Sequence, residues 1–263
     1  MTPGPRSPGR PPRALLLAGV LTALVCVIPL VYLLVRVGGA GAHRVFEVLG
    51  HRRTLDTVGT SVGLVAVVVA ACLAVGLPTG WLLARARLPL RAMWVVVAAL
   101  PLAIPSYVAA YAWLARFPLS GFWAAAFILT LGCFPYVALP VTAALRSTDP
   151  ALEEVARTLG RGPLRAFTGT ALPHAWPAAA AGALLVALYV LSDFGAVALL
   201  RVDAFTRVIY ASYRGSFDRV GATVLALVLV VLAILLVVAE RRVRGRRLRW
   251  RVGTGTRRVA DPV

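Results

Sequence analysis

Lysine is absent from this chain of 263 residues: all 28 basic side chains are arginine. The absence excludes one kind of energy coupling. A phosphate-binding loop of the Gly-Lys-Ser/Thr type needs its lysine to reach the phosphates, so the chain does not bind ATP by that device. Acids are scarce, with 10 Asp and Glu and a formal net charge of +18. They form no cluster of the kind a membrane enzyme would use. Cysteine and histidine occur three times each. Cys26, Cys72 and Cys133 each lie inside an apolar run, far apart and with no Cys or His close by. That pattern favours small apolar packing residues over a disulfide or a metal site. His43, His51 and His174 lie outside the apolar runs, and no pair has the helical spacing of metal ligands.

What the chain does have is apolar length. Hydrophobic residues make up 60% of it, with a mean hydropathy of +0.83, against about 45–50% apolar residues in a soluble domain. A basic total of this size often marks nucleic-acid binding. Here the arginines sit in short clusters between long apolar runs, as in the loops and tails of a membrane protein. The expected partner is therefore membrane lipid and not nucleic acid.

A hydrocarbon core of about 30 Å takes about 20 apolar residues in a helix. Six segments qualify, at 14–35, 57–84, 93–115, 121–145, 176–200 and 220–239. The expected fold class is all-α integral membrane, with a transmembrane domain over 14–239. The first run is too long for the core of a secretory signal and reads as a retained span. Residues 1–13 read as a Pro-rich, basic, disordered tail, and 240–263 as a basic tail or linker. Six spans put both ends on one side. With both ends cytoplasmic, 19 arginines fall inside and 9 outside, but without the C-terminal tail the count is 10 against 9. The bias has the right sign, and the tail supplies most of it.

Two spans carry paired helix breakers: Pro101 with Pro105 in the third, and Pro135 with Pro140 in the fourth. Each proline removes an amide donor, and in a membrane the freed carbonyl needs another partner. Bent helices around a wet path suit a transporter, although prolines are also simply tolerated in spans. Asp193 is the one acid within the fifth span. An ionised group in hydrocarbon costs at least about 2.5–3.5 kcal/mol and marks a pathway or a paired site. The alternative is that Asp193 lies at the outward end of its helix, already in water or headgroups.

Between the fourth and fifth spans the chain turns polar, over 146–175. "STDPALEEVARTLG" opens with a cap-like Ser147-Thr148-Asp149 and Pro150, which suits a first helical turn. Glu153 and Glu154 follow where the helix dipole favours acids, and Gly160 is placed to end the helix. A second short helix is expected after "GRGP", with Leu164 and Phe167 three apart on one face. Pro173 and Pro177 mark the turn into the fifth span. Such a loop either docks on a partner through its apolar teeth or lies on lipid as an amphipathic element.

The spacing of this stretch resembles the signature loop of bacterial ABC importer permeases, which reads Glu-Ala-Ala, three residues, Gly, nine residues, Ile, one residue, Leu-Pro. This chain has Glu154-Val155-Ala156, Gly160, Thr170 and Leu172-Pro173 at those intervals. Val155 and Thr170 are mild departures. The resemblance implies that the loop is a cytoplasmic coupling helix, seated on a separate ATPase subunit that carries ATP and Mg. This chain then binds no cofactor itself. "LPLAIPSYVAAYAWL", "ALYVLSDFGAVALLR" and "FTRVIYASYRGSFDR" are similar to permeases of the ferric-iron type, related to those for thiamine, polyamine and sulfate. The resemblance implies alternating access in a bacterial inner membrane. It also implies a periplasmic or lipid-anchored solute-binding protein and a second six-helix permease half. The C-terminal tail resembles the linker of permeases that fuse two halves in one chain. A self-powered secondary transporter is the rival class. It would use intramembrane polar groups for coupling, and the spans offer one acid.

Overall fold

The computed structural model describes residues 13–248, apart from 87, 119, 149–150, 152–154, 156–157, 161, 163–164, 166 and 216–218. The two expected tails lie largely outside the described residues. The described residues contain helices and turns and no strand. Helix α1 is Arg13–Gly39, α2 Ala42–Gly50, α3 Arg52–Arg85, α4 Arg91–Ala99, α5 Ser106–Arg116, α6 Phe122–Cys133 and α7 Pro135–Arg146. Beyond the polar loop come α8 Leu172–Ser192, α9 Gly195–Leu199, α10 Phe205–Arg214 and α11 Arg219–Leu248.

Five helical stretches are long and apolar enough to cross a membrane: Leu16–Gly39, Arg52–Arg85, Phe122–Arg146, Phe167–Ser192 and Arg219–Arg242. The expected third span is not a continuous helix. It consists of Arg91–Ala103 and Ser106–Arg116, bent by 89° at the break. Pro101 sits in a 3-10 turn, and Ile104 and Pro105 are extended. Proline supplies no amide and biases the preceding residue away from the helical region, so two prolines four apart break the span where one would bend it.

The fifth span also differs from its expected limits. It begins in a π-helical turn, Phe167–Ala171, and ends at Ser192, so residues 193–200 leave it. Pro173 and Pro177 lie within this helix and do not form a turn before it. Pro173 occupies the first turn, where a missing amide is cheapest. The fourth span keeps its expected limits but is jointed at Phe134, and Pro135 opens α7.

The core is a bundle of α3, α7 and α8. Lipid gives helices no hydrophobic reason to associate, so close packing of small residues drives their approach. Gly76 and Gly80 on α3 face Val137 and Val141 on α7, and Gly182 on α8 faces the backbone of Tyr136 and Val137. The buried Thr142 hydroxyl donates within α7 to the Ala138 carbonyl at 2.8 Å and lies 3.2 Å from the Gly80 carbonyl on α3. Cys72 and Cys133 are buried in this packing and Cys26 is exposed; all three are free thiols. On the side away from the polar loop, the Phe205 amide that starts α10 donates to the Ser61 hydroxyl of α3 at 3.0 Å.

Candidate functional site

At the base of the polar loop three arginines gather around the end of α3. The last carbonyls of a helix lack partners within it and carry the negative end of its dipole. Arg91 Nε donates to the Leu83 carbonyl at 2.8 Å, and its Nη2 donates to that of Ala84. Arg146 Nη2 reaches Leu83 at 3.5 Å, and Arg85 Nη2 donates to the Thr148 carbonyl at 3.2 Å. The start of α4, the end of α3 and the end of α7 are thus tied together where the loop leaves the bundle.

The loop has a second anchor. Phe167 meets Trp81 of α3 edge-on, with ring centroids 5.9 Å apart. Phe167 is half-buried and turns back onto the bundle. Leu172 is half-buried and Pro173 exposed at the start of α8. Gly160 has φ of 81°, in the left-handed region. Ahead of it, Val155 and Leu159 lie four apart with the Leu159 amide bonded to the Val155 carbonyl at 3.1 Å, so they share one helical face. They are 57% and 77% exposed. Glu153, Glu154, Ala156 and Leu164, expected in the same loop, lie outside the described residues.

The proline pairs do not meet at one point. Pro101 lines a cavity of about 290 Å³ at the broken span, together with Ser106, Trp113, Tyr136 and Tyr189. Pro105 lines a neighbouring cavity of about 630 Å³ with Ser106, Tyr107, Tyr189 and Asp193. Pro135 is buried and Pro140 half-buried on α7, and neither lines these two cavities.

Asp193 is buried, 8% exposed. Its Oδ2 accepts from the Ala196 amide at 3.0 Å and the Val197 amide at 3.4 Å. Its carbonyl accepts from the Thr206 hydroxyl at 2.6 Å. The carboxylate therefore caps α9, and the same side chain borders the larger cavity. Neither sequence reading of Asp193 included a cap, although Asp three residues ahead of an amide is a known capping pattern. The sequence reading also missed Ser106, Tyr136 and Tyr189, which are 83 residues apart from first to last and converge only through the break in the third span.

A bundle of apolar spans, one of them broken beside cavities, with an anchored polar loop on one side, defines a membrane transport subunit. Comparison with known proteins makes the class specific. Residues 76–249 match the family described as binding-protein-dependent transport system inner membrane component. The chain belongs to this family of ABC importer permeases.

It is 34% identical over 252 residues to the Fe(3+)-transport system permease protein FbpB 2 of Haemophilus influenzae, covering 95% of this chain and 50% of that one. The chain thus spans about half the length of that relative. It is 27% identical to the sulfate transport system permease protein CysW of Synechocystis, covering 83% of this chain and 88% of that one. Among solved structures it is similar to a bacterial alginate ABC transporter in complex with a pentasaccharide-bound periplasmic protein. That likeness has a TM-score of 0.63 at 14% identity, covering 88% of this chain and 94% of the other, and it concerns the fold.

Proposed function

We propose that this chain is one membrane half of an ATP-driven importer that carries ferric iron across the inner membrane by alternating access. The exposed Val155–Leu159 pair carries the reading. It stands on a loop that the arginine cluster and the Trp81–Phe167 contact tie to α3, α4 and α7. An ATPase subunit seated on that pair, and binding ATP and Mg itself, would transmit its motion to the bundle through those ties. The loop would then face the cytoplasm, as would both termini. The similarity to the Haemophilus iron permease supports iron as the solute.

A solute-binding protein would deliver the iron from the outer face, as the family description implies. The signature pattern occurs once in the sequence, and a motor with two sites needs two such loops. The functional unit would therefore contain a second six-span half.

Reconstitution in liposomes tests this. The chain, its ATPase, the binding protein and a second half are combined, and each is then omitted in turn. ATP-dependent uptake of radioactive ferric iron only from the full set is the expected result. Uptake without the ATPase would replace this reading with a self-powered transporter. Uptake of sulfate with none of iron would move the solute to the class of the Synechocystis relative.

A further inference from the structure

The broken third span contributes little to the core. α4 and the 3-10 turn after it, Leu100–Ala103, contain no buried residue, and α5 contains one, Ala110. Val97, Leu100, Ile104, Tyr107 and Tyr111 are between 44% and 68% exposed. The two cavities beside the break are lined mainly by apolar side chains and open onto the surface.

The break also strands backbone polar groups. Pro105 stands where the Leu102 carbonyl would look for a donor in a continued 3-10 turn, and proline has no amide to give. Among the described residues no backbone amide donates to the carbonyls of Leu102, Ala103 or Ile104, and residues 102–105 are exposed. The depth of the break follows from its neighbours. The smaller cavity brings Pro101 and Ile104 beside Gly132, Cys133 and Tyr136, midway along the fourth span, Phe122–Arg146.

Lipid offers no donor at that depth. Backbone that is not helical persists there only where protein or enclosed water meets it. The first span makes the contrast. Leu16–Gly39 contains no buried residue either, but it is one continuous helix that pairs its backbone groups within itself, so lipid suffices as its neighbour. The broken span needs an apolar surface opposite it that also brings donors or traps water. A partner of that kind is implied elsewhere on the molecule: the chain spans about half the length of the Haemophilus permease and carries the signature loop once.

We propose that a second six-span half packs on this face, over α4, the break and α5, and closes it off from lipid. Donors on that half, or water enclosed beneath it, satisfy the three carbonyls. This rests on the reading of the chain as one half of an importer and adds the surface by which the halves meet.

Photo-cross-linking in the full complex tests the surface. The chain carries Val97→p-benzoylphenylalanine or Tyr111→p-benzoylphenylalanine, both at exposed positions, or Leu24→p-benzoylphenylalanine on α1. The complex with the ATPase, the binding protein and the second half is irradiated in phospholipid liposomes, and the adducts are identified by mass spectrometry. Positions 97 and 111 should both give adducts with the second half. Phospholipid adducts alone at these two positions, or no adduct at either, would overturn the surface. So would adducts with the second half from position 24 and from neither of the others. A second measurement uses Ile104→Cys in a chain with Cys26, Cys72 and Cys133 replaced by alanine. N-ethylmaleimide in detergent should label this thiol in the chain alone and not in the complex. Equal labelling in both would overturn the surface. Co-purification reports separately on the two-half reading. Transport by a preparation that contains no second half would end that reading and this surface with it. A second half that co-purifies but leaves Ile104→Cys open to label would end the surface alone.

Discussion

Gly182 of α8 lies directly against the backbone of Val137 on α7: a Cβ added there would stand 2.8 Å from the Val137 Cα. The partner atom is backbone, which cannot rotate away as a side chain would. Gly182 therefore sets how closely α7 and α8 approach, and through Gly76 and Gly80 the same spacing continues to α3. Gly182→Ala should destabilise the bundle by about 1–3 kcal/mol, the range for overpacking. Gly19→Ala on α1, where nothing lies within 4 Å, should cost nothing. Thermal unfolding of both variants in detergent decides it: equal midpoints would mean that the α7–α8 contact is not limiting.

Asp193 holds α9 through two amides. Asn is as good a cap as Asp, whereas Ala forfeits about 1 kcal/mol. Asp193→Asn should therefore unfold at the temperature of the unmodified protein and Asp193→Ala below it. A drop of the same size in both would assign the stability to the charge and not to the cap.

Gly160 combines φ of 81° with no atom of the described residues within 4 Å of a Cβ added there. Among the described residues a side chain there meets no clash, so a substitution acts through the backbone. Gly160→Asn should be tolerated because Asn visits the left-handed region readily, and Gly160→Val should not. The expected result is that the Val variant inserts in the membrane but loses co-purification with the ATPase and loses uptake. Normal ATPase binding and uptake in Gly160→Val would remove the loop from the coupling role.

Orientation is tested on single cysteines in intact cells, again without the native thiols. An impermeant reagent should label Tyr213→Cys on α10, which is 58% exposed. It should leave Thr158→Cys, on the polar loop, unlabelled. The opposite pattern would put the loop outside, away from any cytoplasmic ATPase.

Much of this protein follows from its sequence alone, because the cost of exposing backbone polar groups in lipid leaves few arrangements open. A run of about 20 apolar residues has to be helical wherever it sits, so five spans and the polar interval between the fourth and fifth could be read directly. Gly160 could also be singled out, since a glycine after a helical stretch favours left-handed backbone.

Tertiary structure decided matters that depend on what lies opposite. Pro101 and Pro105 signal a bend, but an 89° break needs neighbours to accept both arms. Phe167 carries the same apolar signal as Leu159, yet the first packs against Trp81 and the second is 77% exposed. Asp193 looks like a charge in a span until the chain turns after Ser192 and offers it two amides. Ser106, Tyr136 and Tyr189 have no sequence pattern in common. They meet because three helices pack at distances set by glycines, and packing between distant segments leaves no periodic trace in any one of them.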